Sequence, residues 1–161
     1  MKKIFIAVTF AASFFVMACN GGSKSSTSTK DTTTAAQTVP VSNNIELTAG
    51  DQMKYDKIEL RVKANEKVTL TLKNIGTQPK EAMGHNFILL KDGTDLAAFA
   101  ASAVNALDHI PANNPAIIAH TKLLGPGESD TIEFTVPAGS YTYICSFPGH
   151  YLTMTGTLTA E

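Results

Sequence analysis

The chain has 161 residues, with 13 Lys and Arg against 14 Asp and Glu, and a formal net charge of −1. That balance argues against a nucleic-acid partner, which would want a basic face, and supplies no strong field for steering a charged partner. Its two cysteines, Cys19 and Cys145, allow at most one disulfide.

In chain order, Lys2 and Lys3 lead an apolar run from Ile4 to Ala18. The run is too short and too one-sidedly flanked for a spanning helix, and 1–18 reads as a secretory signal peptide. Its end, VMAC, resembles the lipobox of bacterial lipoproteins, which implies that Cys19 is lipidated and anchors the exported chain to a bacterial membrane. The alternative is an ordinary signal cleaved near Ala18 that leaves Cys19 as a free thiol. Several acyl chains on one cysteine exceed the single-chain limit for stable anchoring. Removing 1–18 takes away two lysines and leaves 11 basic and 14 acidic side chains, a net charge of −3. The compartment is then the periplasm or the cell surface. There an unpaired Cys145 is open to oxidation unless it is buried or bound. Residues 20–43, almost all Gly, Ser, Thr, Ala and Lys, read together with Cys19 as a flexible linker that cannot bury enough apolar surface to fold. A coil of that length spans roughly 25 to 30 Å.

From residue 44 to 161 the composition is that of one compact domain. IELTA (45–49), KIELRV (57–62) and KVTLTLKN (67–74) alternate apolar and polar residues with β-branched enrichment, and read as strands. HNFILL (85–90) is a more continuous apolar run, and TIEFTV (131–136), SYTYIC (140–145) and MTGTLT (154–159) resume the alternation between the turn signals GPGES and PAGS. One segment breaks the rhythm. DLAAFAASAVNALDHI (95–110) carries Leu96, Phe99, Ala100, Ala103 and Leu107 at helical spacing, and Pro111 stops it. The pattern predicts an all-β Greek-key sandwich with one inserted α-helix. GPG at 125–127 lacks the lysine and following helix of a phosphate loop.

The chemistry concentrates in CSFPGHYLTM, Cys145 to Met154, a stretch without a charged side chain apart from its imidazole. A nucleophilic Cys145 would need a base such as His150 and a partner to orient it, and no Asn or Asp lies nearby in sequence. Zinc would take a Cys and a His four residues apart, but Met154 is a poor zinc ligand. A third reading adds His85 from MGHN, at the entry to the strand NFILL. Two imidazoles and a thiolate with a weak axial thioether form the donor set of a blue-copper centre.

CSFPGHYLTM resembles the C-terminal ligand loop of the cupredoxins, and MGHN resembles the upstream histidine site of the azurins. GDQMKYDKIELRV, EAMGHNFILL, IIAHTKLLGPGES and GTLT resemble azurin segments in the same order, and IPANNPAIIAHTK is similar to the auracyanins. The resemblance implies one type 1 copper ion held by His85, Cys145 and His150, with Met154 as the long axial ligand and the Gly84 carbonyl as a weak contact opposite. It further implies that Asn86 and Ser146 tie the ligand loops together, that the Phe147 N–H points at the sulfur, and that a docking patch of Met53, Met83, Phe147, Pro148 and Leu152 surrounds His150. Such a protein shuttles single electrons between a redox donor and an acceptor, such as a cytochrome, oxidase, reductase or peroxidase, and is not an enzyme. The alternative use of the same ligands is copper delivery or resistance. The chain departs from the azurins in having no cysteine between 20 and 144, in Phe87 where many have Trp, and in Tyr151. His120 matches a surface imidazole of the family rather than a ligand, and His109 stands at the end of the predicted helix, where a cation interacts well with the dipole.

Overall fold

The computed structural model describes residues 39–161; the signal segment, Cys19 and residues 20–38 lie outside the described residues. Two sheets hold the domain together. The first contains β1 (Asn44–Gly50), β2 (Lys54–Tyr55), β4 (Val68–Asn74) and β7 (Ser129–Phe134) in the order β2-β1-β4-β7. The second contains β3 (Glu59–Val62), β5 (Ile88–Leu90), β6 (Ile117–His120), β8 (Gly139–Ile144) and β9 (Thr155–Ala160) in the order β3-β9-β8-β5-β6. The pairs β1–β4 and β3–β9 are parallel and the others antiparallel. This is the expected sandwich, with the chain passing repeatedly from one sheet to the other.

Alternation in sequence becomes alternation in burial. β1 buries Ile45, Leu47 and Ala49 and turns Asn44 and Glu46 to solvent. Its parallel register sets Ile45 against Leu70 and Leu47 against Leu72. These side chains meet Val62, Leu89, Tyr143 and Leu158 of the other sheet in one core. Complete burial of each such aliphatic side chain contributes about 1.5–3 kcal/mol.

The helix lies on the outer face of the second sheet. In α2 (Leu96–Ala103; the short α1 is Lys80–Met83), Phe99 packs with Ile88, Leu90 and Ile144. β5 is therefore covered on both faces, and this explains why NFILL is apolar without alternation.

Three differences from the sequence reading have physical causes. The helix predicted over 95–110 ends at Ala103, and Leu107, assigned to its apolar face, is 88% exposed. Asp95 caps its start, Oδ1 accepting the Ala97 and Ala98 N–H groups at 3.0 Å. After it the chain enters a 3₁₀ turn, Leu107–His109, in which Asp108 and His109 take left-handed torsions of φ 53° and 57°. The reversal brings His109 Nδ1 to the Val104 carbonyl at 3.1 Å, so His109 still sits at the C-terminus of the helix. Second, the strand read over 85–90 begins only at Ile88; His85 makes an isolated bridge with Leu124. Third, Val41 pairs with Arg61, and the Asn43 Oδ1 accepts the Lys63 N–H at 2.7 Å. Residues 41–43, read from composition as linker, thus lie along β3.

Candidate metal centre

The ends of two neighbouring strands bring the donors together. His85 stands just before β5, fixed by paired backbone bonds with Leu124 of 3.1 and 2.8 Å. Cys145 follows β8, the antiparallel neighbour of β5. Beyond it the chain folds back in a tight loop. His150 N–H donates to the Phe147 carbonyl at 2.9 Å, Met154 N–H to the His150 carbonyl at 2.7 Å, and Cys145 N–H to the Met154 carbonyl at 3.0 Å. Gly149, at φ 81°, supplies the left-handed residue this reversal needs.

The loop returns His150 to Cys145, with Nδ1 3.6 Å from Sγ. Donor atoms of His85, Cys145 and His150 all lie within 4.8 Å of one another, and the three residues are buried. The two imidazole rings stand 5.1 Å apart. Gly84 places its carbonyl 4.0 Å from Sγ, and Met154 is fully buried.

Burial dominates the electrostatics. It pushes the Cys145 thiol up to about 11, against the opposing pull of the Asn86 and Phe147 N–H groups on the sulfur. Desolvation, with the nearby His85 and His109, pushes His150 down to about 4. His85 is lowered by the same desolvation, with the Gly50 carbonyl and Asp51 acting in the opposite sense. Near neutral pH both imidazoles are therefore neutral and offer lone pairs.

Both ring nitrogens of His85 are buried and neither makes a well-formed hydrogen bond, although the Gly50 carbonyl lies near enough to favour a ring proton. Leaving such a group unmatched costs about 1–3 kcal/mol, and a cation between the rings and the thiol would engage the nitrogen that carries the lone pair. Two nitrogens and one sulfur with no carboxylate in the cluster suit a borderline-to-soft ion such as copper better than a hard one.

Residues 41–161 match the family model described as copper binding proteins, plastocyanin/azurin family. The chain belongs to that family. It is 42% identical over 118 residues to an azurin of Achromobacter denitrificans, an alignment that spans 68% of this chain and 78% of the relative. It is 36% identical to the outer membrane protein H.8 of Neisseria gonorrhoeae, over 69% of this chain and 63% of the relative. Among solved structures, dithionite-reduced auracyanin from Roseiflexus castenholzii superposes with a TM-score of 0.69 at 39% identity, covering 76% of this chain and 99% of that one. Copper is the cofactor of this azurin-like cupredoxin, and the buried His, Cys and His set fits it.

Around that set, hydrogen bonds tie the segment of His85 to that of Cys145. Asn86 Oδ1 accepts the Ser146 N–H at 2.9 Å and Asn86 Nδ2 donates to Ser146 Oγ at 2.9 Å. The Phe147 N–H pulls the Cys145 thiol down against burial, as a donor to the sulfur does. Of the residues assigned to the patch, Met53 and Leu152 are exposed at 38% and 71%, Pro148 is exposed and Met83 half-buried. Phe147 differs: it is buried, its ring 4.6 Å from that of His150 and 5.0 Å from that of His109. It forms a wall between two imidazoles.

Sequence reasoning missed four supports. Ser146 Oγ donates to the His109 carbonyl at 2.6 Å, Thr121 Oγ1 accepts the Phe87 N–H at 2.9 Å, Tyr55 donates to the Asn86 carbonyl at 2.6 Å, and Leu124 brackets His85. Most of these bonds run to backbone groups, which every residue type presents alike, so no side-chain pattern signals them.

Proposed function

We propose that this cupredoxin is an exported one-electron carrier, lipid-anchored at Cys19 and exposed in the periplasm or at the cell surface, which passes electrons between redox proteins. His85, Cys145 and His150 would hold the copper, with the Met154 thioether and the Gly84 carbonyl as weaker contacts. Copper supplies the one-electron couple, Cu(II)/Cu(I). The observation that carries this reading is the buried convergence of three donors on strand ends of a sandwich. A rigid mounting lets ligands keep their places through a change of charge, as fast electron transfer requires.

The surface supports docking rather than catalysis. The donors are buried, which leaves no position open for a substrate, and the reading is of a carrier with no reaction of its own. Met53, Pro148 and Leu152 present apolar surface beside His150, which is itself 3% exposed. Thr153 Oγ1 donates to the Met53 carbonyl at 3.1 Å and joins the two parts of this patch. Next to it a groove of about 180 Å³ between α2 and the ligand loop is lined by Ala97, Ala101, Val104, Pro148, Gly149 and Tyr151, among others, none of them charged. Apolar surface of this kind marks a docking site. Dithionite reduction of the auracyanin relative supports a redox role here as well.

Copper delivery would use the same ligands but needs them accessible, and their burial disfavours it. The deciding experiment is to load the exported protein with Cu(II). An intense visible thiolate-to-copper band, reversible one-electron voltammetry and slow loss to a mild chelator are expected. Rapid loss of copper to the chelator would instead establish delivery.

A further inference from the structure

Asn86 sits between the two ligand segments and is held from several sides. Ser146 engages both ends of its side-chain amide, and its backbone N–H pulls the Cys145 thiol down against burial, as a donor to the sulfur does. A further hold comes from Tyr55, at the end of β2, whose hydroxyl donates to the Asn86 carbonyl at 2.6 Å in the buried core. The Tyr55 ring lies 5.5 Å from that of Tyr143, which stacks on Phe87 at 5.1 Å and sends its own hydroxyl to the Lys57 carbonyl at 2.7 Å. Phenylalanine would fill either position on apolar grounds; a phenol adds a hydroxyl that must be matched inside the core. Burial raises both phenols far above any working pH, so each remains a protonated donor.

We propose that Tyr55 is a positioning residue for the metal centre: by fixing the Asn86 carbonyl it holds the Asn86 N–H on the Cys145 sulfur and tunes the electron density that sulfur donates. With its carbonyl held by Tyr55 and its side chain by Ser146, Asn86 has little freedom to turn its N–H away. A hydrogen bond to a cysteine ligand withdraws charge from sulfur and thereby favours the reduced metal. The tuning rests on the copper-carrier reading, whereas the restraint of Asn86 rests on hydrogen bonds alone.

The test compares Tyr55→Phe with Tyr143→Phe in the full chain. In the copper-loaded protein, Tyr55→Phe is expected to lower the reduction potential and move the visible band to longer wavelength. In the metal-free protein it is expected to speed hydrogen exchange of the Asn86 amide by about tenfold, the scale of losing one buried hydrogen bond. Tyr143→Phe also loses a buried hydroxyl contact, but one directed away from the ligand segments; it should lower the thermal midpoint and leave potential, band and Asn86 exchange unchanged. A ring-fluorinated tyrosine placed only at position 55 keeps the fold and is a stronger donor, so it should raise the potential. Wild-type potential and Asn86 exchange in Tyr55→Phe, equal shifts in Tyr143→Phe, or an unmoved potential in the fluorinated protein would each overturn the proposal. A wild-type protein without a blue band would remove the carrier reading, while the metal-free exchange comparison would still decide the restraint of Asn86.

Discussion

Cys145 and His150 face each other at 3.6 Å in opposite electrostatic predicaments with a single cause. Burial disfavours charge on either, so the thiol is raised to about 11 and the imidazole lowered to about 4. From about pH 6.5 up to about 11 the metal-free site therefore holds a protonated thiol and neutral rings. A copper-bound cysteine is a thiolate. Loading at pH 7 to 9 should therefore release about one proton per ion, as checked by titration calorimetry in buffers of different ionisation enthalpy; no proton release would contradict the assignment of Cys145 as ligand. The same shift sets the acid behaviour of the fold. His150 binds a proton more readily in the unfolded chain, near its ordinary value of 6.5, than in the folded one. Metal-free stability is thus full above about pH 6.5 and declines as pH falls toward 4, with His85 acting in the same direction. Thermal midpoints across that range should show the decline in the wild type and a shallower one in His150→Gln. The candidate metal-site side chains were legible in the sequence because a thiol, two imidazoles and a thioether are chemically distinctive. Tyr55 and the His109 carbonyl were not, because a phenol and a peptide oxygen serve equally well in any core or turn.

At the scale of elements, two short pieces do different work. Gly84, between α1 and His85, has φ −69°, open to any residue, so its need for glycine is spatial. A Cβ there would stand 2.7 Å from the Lys80 carbonyl and 3.0 Å from the Leu123 side chain. One neighbour is backbone and cannot yield without moving the loop that carries His85. Gly84→Ala should cost about 1–3 kcal/mol, as overpacking does, and should also shift the visible band. Asp95 caps α2 and is remote in function: Asp95→Ala should lose about 1 kcal/mol and leave the band unchanged. Thermal unfolding and absorption spectra of the two variants separate a site element from a fold element. The strands with clean alternation, such as β1 and β4, were readable from sequence because one face of each meets the core. β2, with two residues, and α1, with four, are too short to carry a period. The helix was overextended because Leu107 continues its spacing, whereas left-handed torsions at Asp108 and His109 turn the chain back to meet Ser146.

For the whole molecule, the weak net charge and the uncharged surface about His150 point to association by apolar contact. Attraction between charges falls steeply with ionic strength, so electron exchange with a partner should change little with salt. Leu152→Glu, at a 71% exposed position, should slow that exchange about tenfold or more by burying an unpaired charge at the contact, with the reduction potential unchanged; stopped-flow mixing with a reduced redox protein reads both. The proposed anchor lies in a different part of the chain. Cys19 follows an apolar run whose length suits a signal rather than a span, and among the described residues no helix is long and apolar enough to cross a membrane. On the proposed reading, attachment to the membrane runs through a lipid on Cys19. Each buried methylene of an acyl chain adds about 0.8 kcal/mol, so several chains hold where one would dissociate. Cys19→Ala should move the protein from the membrane pellet to a soluble fraction with its copper spectrum intact, whereas an electrostatic attachment would survive the substitution and dissolve in high salt. Retention of Cys19→Ala in the pellet after a salt wash would exclude the lipid anchor.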